Sequence, residues 1–367
     1  MAEALRQYAR STVPVTSVPW YRLWAVVGVV FLVAMAITQG RWIASPYFAP
    51  APVGSDPLTA KQAFGLHAMQ IVSSLWFILA MWFFVARPLR RTGFLSIDGK
   101  IALAMGTCWW LDAMYNYTQI TWYYNAHAFN MGSWGVFLPG SIAPGQEHFP
   151  EPLLNAGFLW FASFVTFAWV GSKLYGQLQA RLGPARPFLP AVIVYLSFLA
   201  IDIVFQNTYI RTDNFGYTAT WGKFTMFAGT PYQYPLYEAV VWSACLISLM
   251  LLRSHLNTKG ESAVERGLVE RGYSKTRANV MGFLAVTGFC QTIVLFVWML
   301  PYQMFALQVD TFAPLPSYHR AGMCGAGTPE ACADGSFGIP TVNMEGQFRI
   351  LPTDPRLSPQ AKAAQGE

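Results

Sequence analysis

The sequence predicts an all-α integral membrane protein, a bundle of seven transmembrane helices. Composition, the spacing of apolar runs and the placement of basic residues predict it. Hydrophobic residues make up 54% of the 367 and charged residues only 11%, with a mean hydropathy of +0.34, whereas soluble domains carry about 25% charged residues. Runs that meet the roughly 20 residues a spanning helix needs occur at about 22–39, 64–86, 101–121, 153–176, 187–208, 232–252 and 279–305. Sixteen Lys and Arg fall in the segment up to Arg22 and in 87–100, 173–186 and 253–278, against eight in 40–63, 122–152, 209–231 and the chain after 305. The richer set faces the cytoplasm. The N-terminus is therefore expected inside, the C-terminus outside, and the chain multi-pass in the cell membrane.

The first run follows a polar segment and lacks a small-residue cleavage site, so it reads as a retained anchor. Residues 1–310 form the predicted membrane domain, and 311–367 a largely irregular extracytoplasmic tail. In that tail Cys324 and Cys332 frame CGAGTPEAC, and a short loop in an oxidising compartment favours a disulfide between them. Cys108, Cys245 and Cys290 lie in apolar helices as packing residues. The net charge of +6 is accounted for by topology and anionic lipid, so membrane lipid is the expected partner and nucleic acid is not.

The third run is unusual, because CWWLDAMYNYTQITWYYN places Asp112 among apolar residues. The fifth repeats the pattern. Each has an acid, an aromatic three residues on and an amide four on: Asp112, Tyr115, Asn116 and Asp202, Phe205, Gln206. Each continues to an Asn (Asn125, Asn214), a Trp-Gly pair (at Trp134 and Trp221) and a Pro beside an acid before the next helix, Glu151 in HFPEPLL and Glu238 in QYPLYEAV. The two copies, 101–176 and 187–252, read as parallel helix–loop–helix repeats. Both Asp residues then lie toward the outer half, and Glu151 and Glu238 meet them there. On an α-helix the acid and amide four apart share a face, which Trp109, Tyr115 and Gln119 extend. That face is expected to point inward, since a carboxylate in lipid costs about 2.5–3.5 kcal/mol. The segment 121–152 has seven Trp, Tyr and Phe but no Lys or Arg, and reads as a lid folded over the bundle.

Several chemistries do not fit. Five histidines cannot supply the eight of membrane di-iron enzymes. His127, His148, Glu151 and Asp112 match no standard metal spacing, and no phosphate loop or nucleophile elbow appears. No metal or cofactor is expected. A rhodopsin is excluded by the orientation and by a last helix without lysine. Acid–base work on an apolar substrate does fit, with Asp112, Asp202, Glu151 and Glu238 as candidate catalytic groups. Trp109, Tyr115, Asn116, Gln119, Asn125, Trp134, Gln206 and Asn214 are candidate substrate contacts. A carboxyl in a dry pocket donates a proton, a second accepts one, and aromatic faces stabilise a cation between them.

The run DAMYNYTQITWYYNAHAFNMGSWGVFLPGSIAPG followed by PEPLL, with YPLYE and ERGLVERG, resembles the AveC-like spirocyclase family of actinobacteria over roughly residues 20–310. The resemblance implies closure of a dihydroxy-ketone polyketide to a spiroketal, with dehydration in some members. It assigns no role to individual residues. Two readings follow: a cyclase or dehydratase acting on an apolar polyketide- or terpenoid-like substrate, or a non-catalytic membrane subunit that binds lipid or substrate for a partner enzyme in a membrane complex.

Overall fold

The computed structural model describes residues 19–54, 56–143, 146–313 and 315–319. The Cys324–Cys332 pair and most of the predicted tail lie outside them. Six helices are long and apolar enough to cross a membrane. They are α1 (Trp20–Ile43), α2 (Ala60–Thr92, with a π-helical stretch at Met81–Ala86), α4 (Leu153–Leu182, opening on a π-helical turn), α5 (Leu189–Arg211), α6 (Leu236–Ser254) and α7 (Lys275–Ala306, π-helical at Val294–Met299). The remaining predicted span takes another form. Its α-helix, α3 (Ile97–Cys108), tightens into a 3-10 helix over Trp109–Asn116.

Local chemistry sets the helix limits. Thr59 and Gln62 form a reciprocal capping box at the start of α2. Ser96 accepts from the Gly99 N–H at the start of α3, and Ser274 from the Arg277 N–H at the start of α7. Pro152 and Pro235 sit just ahead of α4 and α6, where a missing N–H costs nothing.

The bundle is built around α3, whose Ile101, Ala102, Ala104, Met105 and Cys108 are buried between α4 and α7. Its small residues allow the approach: a Cβ on Gly106 would stand 2.1 Å from the Phe161 ring. α1 lies along α7 through a glycine contact. A Cβ on Gly28 would stand 2.1 Å from the Leu284 carbonyl oxygen, and one on Gly288 2.1 Å from that of Trp24. On the far side, Arg253 pairs with Asp98 in a two-pronged contact, and Lys100 with the buried Glu265.

One end of the bundle carries a cap. Strand β1 (Trp122–Tyr124) pairs antiparallel with β2 (Phe215–Tyr217), with Trp122 opposite Tyr217 and Tyr124 opposite Phe215. Strand β3 (Ala219–Thr220) pairs with β6 (Thr311–Phe312), and β4 (Thr225–Met226) with β5 (Tyr234–Pro235). Side chains alternate across a strand, so Trp122, Tyr124, Phe215 and Tyr217 gather on one face while Tyr123 on the other stacks on His319 at 4.1 Å. Gly216 is required at its position because a Cβ would meet the Tyr123 hydroxyl at 2.2 Å. Residues 309–313 and 315–319 strap the cap from outside. The Ala126 N–H donates to the Tyr318 carbonyl, Gln62 to the Tyr318 hydroxyl, and the Ser317 N–H to Asp56.

Candidate functional site

Beneath the cap lies a cavity of about 80 Å³, walled by Asp112 and Tyr115 from the 3-10 segment, Asn155 and Trp160 from α4, Asp202 and Gln206 from α5, Trp122 and Phe215 from the cap, and Trp242 and Trp298 from α6 and α7. Asp112 and Asp202 therefore line one space. They arrive from different helices that each place a carboxyl on an inward face.

Each carboxyl is held by aromatic donors. Asp112 accepts from the Tyr124 hydroxyl at 2.7 Å and from Trp160 Nε1 at 3.1 Å. Asp202 accepts from the Tyr234 hydroxyl at 2.6 Å and from Gln206 Nε2 at 3.1 Å, and Gln206 Oε1 accepts from Tyr217 at 2.9 Å. A glutamate stands behind each aspartate. Glu238 Oε1 accepts from Tyr115 and from Trp298 Nε1, and its carboxyl lies near Asp202 and within reach of Gln206. Glu151 lies close enough to Asp112 for the two carboxyls to interact electrostatically. It takes a long 3.5 Å contact from Ser133, and its Oε2 has no N–H or O–H donor among the described residues. Burial first, and then the neighbouring Asp112 carboxyl, push Glu151 well above the usual carboxylate range.

The aromatic wall joins the two halves. Trp160 stacks on Trp298 with ring centroids 5.2 Å apart, so two indoles in contact donate to Asp112 and to Glu238 respectively. Tyr115 stacks on Trp122 at 4.7 Å, and Trp122 lies against Phe215.

The other residues singled out in the sequence divide by location. Tyr115 and Gln206 line the cavity. Asn116 instead staples its own loop: its Oδ1 accepts from the Thr121 and Trp122 N–H groups, and its Nδ2 donates to the Trp122 carbonyl. Trp109 packs edge-on against Trp134, whose Nε1 donates to the Trp110 carbonyl. Gln119 is fully buried with neither amide atom hydrogen-bonded among the described residues. Asn125 ties the cap to the Asp213 carbonyl. Asn214 accepts from Asn155 Nδ2, while Asn155 Oδ1, on a cavity residue, is unpaired. Sequence reasoning missed Tyr124, Asn155, Trp160, Tyr234 and Trp298. Of these, Tyr124 and Tyr234 carry a retrospective signal, each a Tyr in the loop that follows its own Asp.

Helices and cavity together define a multi-pass membrane protein with a buried, carboxylate-lined chamber walled by aromatic rings. The family model of the spirocyclase AveC-like proteins matches residues 90–321, well over half the chain, and the chain belongs to that family. The matched stretch contains all four carboxyls. No curated protein and no solved structure was found to match.

Proposed function

We propose that the chain is a membrane-embedded cyclase and dehydratase of the spirocyclase type, acting on an apolar polyketide- or terpenoid-like hydroxy-ketone. The observation that carries this reading is that Asp112 and Asp202, each backed by a glutamate, line a single aromatic chamber. With a hemiketal in the chamber, a protonated Asp112, kept from ionising by burial beside Glu151, gives its proton to the hemiketal hydroxyl. The C–O bond breaks and water leaves. The resulting oxocarbenium lies among Trp160, Trp298, Trp122 and Tyr115, whose ring faces attract a cation. A second substrate hydroxyl then forms the new C–O bond and releases its proton to Asp202, which Tyr234 and Gln206 hold as a ready acceptor. Return of that proton to Asp112 closes the cycle. The net change is dihydroxy-ketone to spiroketal plus water, with no redox step. A chamber of about 80 Å³ has room for the reacting carbons and a few waters, so a long substrate would leave its chains outside.

A second reading has its own support. Each aspartate already accepts two hydrogen bonds from the protein, as expected of acids that hold helices together in a subunit serving a partner membrane enzyme. Substitution separates the two. Asp→Asn keeps size and removes the exchangeable proton, so Asp112→Asn and Asp202→Asn are each expected to lower turnover of a synthetic dihydroxy-ketone by about 10²–10⁴-fold in protein that still purifies as a folded species. Full turnover by both variants would make the acids structural and give the subunit reading first place.

A further inference from the structure

A second recess lies outside the chamber, on the opposite side of α5. It measures about 330 Å³ and is formed by the outward face of that helix and by the loop that follows β4. Val204, 68% exposed, forms its floor with Met226 and Phe227, and Arg211 stands at its cap end. Arg211 is the last residue of a membrane-crossing helix, so its charge sits where the apolar stretch gives out.

The guanidinium is held in place. It packs over the rings of Phe227 at 4.8 Å and Tyr232 at 5.4 Å, and one nitrogen donates to Asn207 Oδ1 at 2.8 Å. Phe227 keeps its ring there with φ at +55, a left-handed conformation that bulky side chains rarely adopt. Among the described residues no carboxylate pairs with Arg211. One hydrogen bond leaves most of its five N–H donors unused. A planar, ring-stacked guanidinium is the side chain best suited to grip a phosphate with two donors.

We infer that this groove binds one anionic phospholipid, its phosphate on Arg211 and an acyl chain lying over Val204, Met226 and Phe227. The occupant is lipid because the groove opens from the apolar flank of a membrane helix, where acyl chains are the medium, and because Arg211 is the one charged side chain among its described lining residues.

The test uses the full chain in nanodiscs of equal phosphatidylglycerol and phosphatidylcholine, with native mass spectrometry counting the lipid that stays bound. Wild-type protein is expected to retain phosphatidylglycerol preferentially. Arg211→Gln should cut that preference about five- to tenfold, and Val204→Trp, which fills the floor, should remove the retained lipid while leaving the arginine. Millimolar inorganic phosphate should not displace it. Equal retention of both lipids by the wild type, an unchanged preference in Arg211→Gln, or displacement by free phosphate would each overturn the inference. None of these readouts depends on turnover.

Discussion

At the scale of the residue, the buried Glu151 carboxyl is the feature with the most measurable consequence. Glu151 lies outside the membrane helices, and burial beside Asp112 raises its proton affinity in the folded state. The folded form thus binds a proton that the unfolded form releases near pH 4.5. That costs stability increasingly as pH rises through the folded value. Glu151→Gln removes the cost, so the variant is expected to melt higher than wild type at alkaline pH, with the gap closing toward acid. A gap that stays constant with pH would show that Glu151 carries no extra proton. The four acids were legible in the sequence because a carboxylate in an apolar run is costly and therefore conspicuous. Their donors were not. Trp160 and Trp298 are two of 14 tryptophans in a chain that is 16% aromatic, and only tertiary contact sets them apart. Asn116 would share a face with Asp112 at 3.6 residues per turn, but Trp109–Asn116 is a 3-10 helix with three. Four residues on from Asp112 therefore fall about a third of a turn away from it, and the amide turns to the loop.

At the scale of the element, two contacts invite opposite experiments. The α1–α7 interface depends on Gly28 and Gly288, where added Cβ atoms would strike backbone oxygens. Gly288→Val is expected to cost at least the 1–3 kcal/mol or so of an overpacked core, read as a lower unfolding temperature in detergent. The strap carries His319, whose Nε2 lies 3.2 Å from Asp213 Oδ1 but off the line of a hydrogen bond. Burial lowers its proton affinity more than Asp213 restores it. A base depressed in this way contributes stability above its unfolded pKa of about 6.5 and loses it as pH falls through the folded value. Protection factors of the Ala126 and Ala313 amides, whose N–H groups bond across the strap, are expected, once the intrinsic pH dependence of exchange is divided out, to fall as pH drops below about 6.5. Protection factors that do not change with pH would exclude the histidine as the cause. The helices were readable from apolar runs, as at 232–252 for Leu236–Ser254. The strands were not, since each has two or three residues and β1 meets its partner more than 90 positions later.

At the scale of the whole molecule, the cap defines one end and the folded 255–274 segment the other. The excess of Lys and Arg on the second end leads us to propose that it faces the cytoplasm. A cysteine at the exposed Ile142 of the lid should then react with an impermeant reagent in intact cells, and one at the exposed Lys259 only after permeabilisation. The reverse pattern would invert the molecule and move the chamber to the cytoplasmic half. A probe near Ser358, outside the described residues, should follow Ile142.

The pairing of β3 with β6 also bears on how the protein is made. Ala219 and Thr220 have no strand partner until Thr311 and Phe312 have been synthesised, and α7 must be in place before those two residues can reach the cap. At about 5–20 residues per second, the ribosome spends several seconds between completing β3 and delivering β6. Through that interval the β1–β2 pair over the chamber can form, but the cap lacks the strand that ties it down from outside. The cap is then most exposed to proteolysis, and a chain cut short after α7 is expected to keep its helices and its β1–β2 pair while leaving β3 without its partner.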